Sequence, residues 1–312
     1  MIITPDTMKL LFTGFKAVFN DAWAQTPTHA FDIAMKTSSG TSREAYPWLG
    51  QFPQLREWVG DRHIKSVETQ GFFIDNLKFE STVTVKRESI EDDQYGVFAP
   101  MFRNMGRVAR LHPDQLVFGL LKNGFNSFCF DGLPFFDEAH PAFDENGAPI
   151  TASNMQPAPA GYSGPAWFLL DAKQAVKPLI FQERLPYDFQ SVVSDTDSRV
   201  FLRDEYSYGI RARVNAGFGL WHMAFGSQAP LTFDNYAAAR AAMQMLRGDQ
   251  GGLLGVSPTL LVVPPALEAA GRTLLKASSV STYDSTNLSI PAVPVTNIWF
   301  ESADLIVTPF VA

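Results

Sequence analysis

A short stretch in the middle of the chain holds the residues best suited to chemistry. Asp137 and His140 are three positions apart, and Asp144 follows four positions later. An imidazole beside carboxylates can ligate a divalent cation or act as an acid–base pair. Pro134 and Pro141 predict a loop here, where polar side chains commonly cap turns or face solvent. A hydrolase built on Asp137, His140 and Asp144 is therefore one hypothesis, and solvated turn residues are the other.

Other catalytic signatures in the chain are incomplete. Cys129 is the only cysteine, which excludes an intrachain disulfide and a zinc site built from several cysteines. Its position between Phe128 and Phe130 predicts burial. The glycine-rich run 248–255 lacks the Lys-Ser/Thr pair of a phosphate-binding loop, and Gly161–Gly164 does not match a nucleophile elbow. We therefore expect no catalytic residue, no cofactor and no bound metal, and so a protein that is not an enzyme.

The composition is that of a globular protein with an unusual share of aromatic side chains. Of the 312 residues, 46% are hydrophobic, 13% are aromatic and 26 are Phe. Because aromatic side chains dominate both cores and interfaces, this share predicts a Phe-rich core or extra surface buried against partners. A net charge of −7 gives no broad cationic face for nucleic-acid phosphates. No apolar run approaches the ~20 residues of a membrane helix, so we expect an intracellular protein that does not contact membranes.

Two long helices are predicted in the first part of the chain. Residues 8–23 place apolar side chains at helical spacing with polar ones opposite. This helix either docks on the core of its own subunit or forms an arm that docks on a neighbouring copy. The second helix is predicted to run from Ser89, a good N-cap, to about Gly124. Pro113 is placed at the first turn of its continuation.

The rest of the chain mixes strands and helices without a regular strand–helix–strand rhythm, which favours α+β over doubly wound α/β. A hairpin is predicted over residues 72–86, and one long alternating strand over Tyr206–Phe225. A helix capped by Thr232 or Asp234 is predicted to end near Leu246. The remaining predictions are strands at Trp167–Leu170, Leu179–Phe181, Thr259–Val263, Thr296–Phe300 and Leu305–Phe310, and a helix over Pro265–Lys276.

A segment rich in both aromatic residues and turn formers follows the first helix. Residues 46–62 contain two prolines and two glycines, a density incompatible with a long helix. Large aromatic side chains on such an irregular, charged segment are hard to place in one domain's core, and they are favoured anchors of interfaces. We therefore predict that two aromatic groups contact neighbouring subunits, with core packing as the alternative: Phe12, Phe15, Phe19 and Trp23 in the first helix, and Trp48, Phe52 and Trp58 in this segment.

Seven segments together form a more specific signature than any single motif. They occur in order along nearly the whole chain: LFTGFKAVFNDAWA (11–24), YPWLGQFPQLREWVGDR (46–62), FESTVTVKRESIEDD (79–93), HPDQLVFGLLKNGF (112–125), FDGLPFFDEAHP (130–141), YGIRARVNAGFGLW (208–221) and LLVVPPALEAAGRTLL (260–275). The set resembles the family of major head subunits of Mu-like phages and prophages.

This resemblance implies an α+β, HK97-like capsid fold. Such a fold has an N-terminal arm, an extended β-hairpin loop, a long spine helix, and peripheral and axial domains. The expected division is 1–45 for the arm, 46–88 for the extended loop, 89–165 for the spine helix with part of the peripheral domain, 166–231 for strands leading into the axial domain and the long peripheral-sheet strand, and 232–312 mainly for the axial domain.

The resemblance also implies a function and partners. The expected protein is a major capsid protein that self-assembles as pentamers and hexamers into an icosahedral shell enclosing phage DNA. Its expected partners are other copies of itself, a scaffolding protein, a portal and a decoration protein. It would be a virion component assembled in the cytoplasm of the bacterial host. A tail or baseplate protein, or the hydrolase described above, is kept as an alternative.

Overall fold

The computed structural model describes residues 4–49, 72–92, 94–194, 196–248, 251–282 and 293–312. The helices are α1 (Pro5–Gln25), α2 (Ala30–Ile33), α3 (Arg87–Glu91), α4 (Ala99–Lys122), α5 (Ser198–Arg203), α6 (Phe233–Gln244) and α7 (Glu268–Lys276). The strands are β1 (Ala34–Ser38), β2 (Arg43–Ala45), β3 (Phe73–Asp75), β4 (Leu77–Lys86), β5 (His140–Phe143), β6 (Pro149–Ala152), β7 (Met155–Gln156), β8 (Trp167–Leu170), β9 (Leu179–Val192), β10 (Glu205–Phe218), β11 (Ala224–Ser227), β12 (Leu260–Val263), β13 (Ser279–Thr282), β14 (Val293–Thr296) and β15 (Asp304–Val307). The α+β prediction is confirmed.

Helix α1 begins with a reciprocal cap and crosses α4 at very short range. The Thr4 hydroxyl accepts a hydrogen bond from the Thr7 backbone N–H at 3.2 Å, and the Thr4 backbone N–H donates to the Thr7 hydroxyl at 2.8 Å. At Gly106 of α4, a β-carbon would collide with the carbonyl oxygen of Phe19. A glycine is therefore required for the two helix backbones to approach this closely.

The long spine helix starts ten residues later than predicted. Ser89 lies inside the five-residue helix α3, a 3₁₀ turn spans Gln94–Phe98, and α4 then begins at Ala99. The prediction of an N-cap at Ser89 was wrong because α3 already begins at Arg87, with Lys86 at its N-cap. Pro100 lies in the first turn of α4, where its missing N–H breaks no helical hydrogen bond. Pro113 does lie inside α4, as predicted.

Four strands form a sheet of order β1-β9-β10-β4, here called the long sheet. Strand β10 pairs antiparallel with both β9 and β4, and β1 pairs parallel with β9. The predicted hairpin over residues 72–86 was wrong, because β4 pairs with β10 and the short β3 pairs with β2. The β9–β10 register shifts on either side of Arg213. Pro186 lies in that part of β9, beyond the end of β1. Its missing N–H therefore removes no hydrogen bond to a second neighbouring strand.

Five shorter strands form a second sheet of order β15-β12-β8-β11-β7, here called the short sheet. Every residue of β8, β11 and β12 is buried. Such continuous apolar runs are expected of strands covered on both faces. The predicted strand Thr296–Phe300 was wrong: β14 ends at Thr296, and Ile298–Phe300 form a turn in which Trp299 is half-buried against Tyr236.

The long and short sheets are joined directly by the chain that follows β10. The long strand predicted over Tyr206–Phe225 ends at Phe218, a 3₁₀ turn follows at Trp221–Met223, and β11 then continues in the short sheet. Gly219 permits the crossing, because a β-carbon there would collide with the Lys177 and Pro178 carbonyls. No helix among the described residues combines the length and apolarity needed to cross a bilayer.

Candidate assembly surfaces and the buried histidine cluster

The three residues of the hydrolase hypothesis do not form a common site. His140 is fully buried and its Nδ1 lies 2.7 Å from Asp131 Oδ2. Asp137 Oδ1 accepts a hydrogen bond from the Ala139 N–H at 2.9 Å. Asp144 Oδ1 accepts the N–H groups of Asn146 and Ala148, both at 2.8 Å. Asp137 and Asp144 therefore cap turns of their own loops, and the hydrolase grouping was wrong.

Asp131, which the sequence reasoning missed, is the centre of the polar cluster around His140. Its Oδ1 accepts hydrogen bonds from the Cys129 thiol at 3.0 Å and the Leu133 N–H at 3.1 Å. Burial would raise the pKa of Asp131, but the hydrogen bonds from His140, Cys129 and Leu133 hold it below its ordinary value. Burial and the neighbouring carboxylate raise the pKa of the Cys129 thiol. The sequence shows Cys129, Asp131 and His140 only as separate residues, because no local pattern specifies the turn that brings them together.

This cluster was tested as a metal site. The ligand atoms of Cys129, Asp131 and His140 lie within 4.8 Å of one another. However, both carboxylate oxygens of Asp131 already accept hydrogen bonds, one from the Cys129 thiol and one from His140, so a metal ion would have to displace both contacts. The geometry is that of a buried hydrogen-bond network which fixes the loop, in which His140 Nε2 has no partner among the described residues, so we assign it a structural role.

An aromatic stack extends this network into the crossing between the two sheets. The Trp221 ring lies 4.1 Å from the His140 ring and 3.6 Å from the His222 ring, centroid to centroid, with both pairs nearly parallel. Burial, with a smaller contribution from His140, lowers the pKa of His222 to about 3. His222 is therefore a neutral core residue at ordinary pH.

The aromatic stripe of α1 packs largely against its own subunit. Phe15 and Phe19 are only 5% and 3% exposed, with Phe15 stacked on Phe102 at 4.2 Å and Phe19 on Phe189 at 5.2 Å. Their predicted role as contacts to a neighbouring copy was wrong, because core packing leaves no surface to offer. Core docking, the alternative reading of this helix, holds for these two residues.

The other predicted interface residues divide into two groups. Phe12 and Trp23 of α1 are half-buried, packed on Phe189 and Tyr187 respectively. Trp48 is also half-buried, edge-on to Tyr46 at 6.1 Å. Their partly exposed faces leave the interface prediction open. Phe52 and Trp58 lie outside the described residues, so for these two the prediction also stands as made.

An exposed apolar pair was missed by the sequence reasoning. Phe201 and Leu202 of α5 are 81% and 76% exposed, whereas the adjacent Val200 is buried in the α1–α4 core. Helix α5 connects β9 to β10 at one end of the long sheet. Exposed large apolar side chains that adjoin one another often mark interaction sites. The Val-Phe-Leu run was visible in the sequence. The exposure of Phe201 and Leu202, however, follows from the burial of Val200, which fixes the orientation of α5.

Comparison with known proteins identifies the family. The family model described as "Mu-like prophage major head subunit gpT" matches residues 8–311. The major capsid protein of Escherichia phage Mu is 41% identical over 278 residues, covering 88% of this chain and 91% of the phage protein. The chain belongs to the family of Mu-like major head subunits. A Haemophilus influenzae relative in this family, the Mu-like prophage FluMu major head subunit, is 39% identical over 281 residues, or 88% of this chain and 90% of the relative.

Solved structures agree with this head-subunit family. A chain of the bacteriophage JBD30 procapsid superposes with a TM-score of 0.82 at 41% identity, covering 99% of this chain and all 100% of that one. A chain of the JBD30 capsid gives a TM-score of 0.77 at 31% identity, covering 100% of both chains. This head subunit therefore has the HK97-like capsid fold, as predicted. It is a phage major capsid protein, a structural shell component of the virion, and the tail and baseplate alternative is set aside.

Proposed function

We propose that copies of this chain assemble into pentamers and hexamers, which close into an icosahedral shell around phage DNA in the cytoplasm of the bacterial host. The observation that carries this proposal is the exposed apolar pair Phe201 and Leu202 at one end of the long sheet. Exposed apolar side chains gain free energy when a neighbour covers them. Phe12, Trp23, Trp48, Phe52 and Trp58 are proposed to add neighbour contacts.

The energetics of such a shell favour many moderate contacts over a few strong ones. Burying ~1,000 Å² of apolar surface against one neighbour gives a gross gain on the order of 25 kcal/mol. Lost rigid-body freedom and side-chain ordering cancel much of this gain. Each contact can therefore remain reversible while a closed shell, in which every subunit has several neighbours, is very stable. Reversibility during growth allows misplaced subunits to leave.

The proposed division of labour follows the expected parts of the fold. Residues 1–45 act as the arm, 46–88 as the extended loop, 89–165 as the spine with part of the peripheral domain, 166–231 as the strands leading into the axial domain and the long peripheral strand, and 232–312 mainly as the axial domain. The packing of α1 along α4 and the separation of the described strands into a long and a short sheet support this division.

The chain is further proposed to be without enzymatic activity and to work with three protein partners. The burial of the network around Asp131 supports the absence of catalysis, because neither His140 nor Cys129 is open to a substrate. A JBD30 capsid decorated with minor capsid protein trimers has a chain that matches this one with a TM-score of 0.72 at 30% identity, covering 94% and 93% of the two chains. A decoration protein is therefore proposed here too, beside a scaffolding protein and a portal.

The test is to express the chain alone and with its scaffolding protein. Sedimentation velocity and negative-stain imaging are expected to show pentamers, hexamers or closed shells. Open tubes or rings that never close would contradict an icosahedral shell. A monomer that persists even with the scaffolding protein would overturn self-assembly.

A further inference from the structure

A groove that combines cationic and apolar walls lies between α1 and α4. Its volume is about 640 Å³, within the range of ordinary ligand pockets. One wall is the end of α1 and the residues after it, from Ala22 to Pro27. The other wall is a single face of α4 that carries Pro100, Arg103, Arg107 and Leu111.

The two arginines of this groove lack acidic partners within the described part of the chain. Arg103 and Arg107 are exposed and one helical turn apart, and neither forms an ion pair with a described residue. Arg107 makes one hydrogen bond, at 3.3 Å to Asn104 Oδ1. Arg110, by contrast, lies over the Trp23 ring at 5.5 Å. Two accessible cations therefore stand together on a chain whose net charge is −7.

We infer that this groove binds an acidic amphipathic helix, supplied by the scaffolding protein. The inference rests on the proposed function, since it names the place where the scaffold would attach. Two guanidinium groups one turn apart match carboxylates spaced one turn apart on a bound helix. The Ala22, Pro27, Pro100 and Leu111 walls provide apolar surface for the leucine-type side chains on the adjoining face of that helix.

A nucleic-acid backbone fits the same groove less well. A phosphate backbone makes no favourable contact with the apolar walls, and two arginines would neutralise only two phosphates. The net charge of −7 would also repel a long polyanion at low salt. A short acidic amphipathic helix presents carboxylates that can pair with the two arginines and apolar side chains that can pack on the apolar walls.

The arginines have a rival structural role that the test must separate. Helix α1 has no basic residue in its last turn, so Arg103 and Arg107 across the groove could stabilise the negative end of its dipole. If that were their purpose, removing them would lower the thermal stability of the subunit and leave peptide binding unchanged.

The first experiment measures fluorescence anisotropy of a labelled helical peptide added to the soluble subunit. The probe is about 18 residues long, enough to hold a helix, with glutamates at i and i+4 beside a leucine face. We expect Arg103→Gln/Arg107→Gln to weaken binding about tenfold, the loss of two partly exposed charge pairs. Arg211→Gln, at an exposed arginine of β10, is the matched control and should bind as the parent chain does.

A charge swap sharpens this experiment. Arg103→Glu/Arg107→Glu should reject the glutamate peptide and bind the same peptide with lysines in place of glutamates. Equal binding by the parent and Arg103→Gln/Arg107→Gln, absence of measurable binding to the parent chain, or a fall in melting temperature without a change in affinity would overturn the inference. Tighter, arginine-dependent binding of a DNA duplex would overturn it in favour of phosphate recognition. Displacement of the peptide by a second copy of the chain would overturn the assignment to a scaffold.

Co-expression with the scaffolding protein keeps this inference separate from the proposed function. The parent chain should form scaffold-filled shells, and Arg103→Gln/Arg107→Gln should form shells with several-fold less scaffold by gel densitometry. If the variant retains scaffold at the parent level, the groove assignment fails while self-assembly stands. If the parent forms no shells at all, the proposed function itself fails.

Discussion

The long and short sheets differ in how much of the length of their strands is buried. In the short sheet, all four residues of β8, β11 and β12 are buried. In the long sheet, β4 has ten residues and only Val85 is buried, while β9 becomes exposed beyond Arg184 except at Phe189 and the half-buried Tyr187 and Ser191. The short sheet therefore contributes mainly to the stability of the subunit, and the long sheet carries surface that a neighbour can cover.

This difference predicts where a substitution will be felt. A change in the short sheet or at the crossing between the sheets removes packing on every side and should destabilise the isolated subunit. A change on the exposed parts of the long sheet should leave folding almost unchanged and act on assembly. Four predictions test this separation.

Trp221→Ala should have the largest effect on folding. It removes a fully buried ring together with its stacking contacts to His140 and His222. We therefore expect a loss of about 4 kcal/mol in the free energy of unfolding. Urea unfolding of the unassembled subunit measures it. Leu185→Ala on the exposed part of β9 is the control and should cost less than about 1 kcal/mol. Similar losses for both would remove the distinction between the sheets.

Gly106→Ala should have the next largest effect, a loss of about 2 to 3 kcal/mol in the free energy of unfolding. The added methyl group would collide with the Phe19 carbonyl oxygen and force α1 away from α4. Gly119→Ala in the same helix has nothing within 4 Å of the added atom and should stabilise the subunit slightly, by up to ~1 kcal/mol. Thermal unfolding of both variants checks the pair, and a neutral Gly106→Ala would show that the helices can separate at little cost.

Acid should destabilise the subunit through His222. Its pKa falls from 6.5 in the unfolded chain to about 3 in the folded one, so the unfolded state binds the proton first and stability falls as pH drops from 6.5 towards 3. The loss should reach about 2 kcal/mol near pH 5. His222→Gln should flatten this part of the pH profile, whatever its stability at neutral pH. Equal slopes for the parent chain and His222→Gln would contradict the assignment.

Phe201→Ser/Leu202→Ser should change the free energy of unfolding least, by no more than about 0.5 kcal/mol, because both side chains are exposed. If a neighbour covers them in the shell, the yield of closed shells should nevertheless fall several-fold by sedimentation. Val200→Ala, at the buried neighbour, is the inverse control: about 1 to 2 kcal/mol lost in folding. Normal shells from the double variant would remove this pair from the proposed contacts.

Local patterns in the sequence predicted individual elements well. The predicted cap at Thr232 accepts a hydrogen bond from the Asn235 N–H and begins α6, and the apolar run Trp167–Leu170 is a buried strand. These features depend on residues a few positions apart. The start of the spine helix was misplaced because Ser89 looks like a cap locally, whereas the chain forms the short helix α3 and a 3₁₀ turn before α4 begins at Ala99.

Features that depend on distant residues could not be read from the sequence. The pairing of β1 with β9 joins Ala34 to Leu179, and no local pattern specifies such a partner. Asp131 was missed for the same reason, since its importance comes from a turn that brings Cys129 and His140 to it. Likewise, burial of Phe15 and Phe19 depends on Gly106 admitting α1 to the surface of α4.

The crossing at Gly219–Met223 also limits how the subunit can adapt its shape. In the proposed pentamers and hexamers, subunits would meet their neighbours at different angles, so each copy would need some compliance. Turning one sheet against the other would pull Trp221 away from its two stacked histidines, which makes this joint stiff. In the bulged middle of the β9–β10 ribbon, around Pro186 and the register shifts at Arg213, some ladder positions are unpaired. Differences in curvature between copies should therefore accumulate as twist along that ribbon.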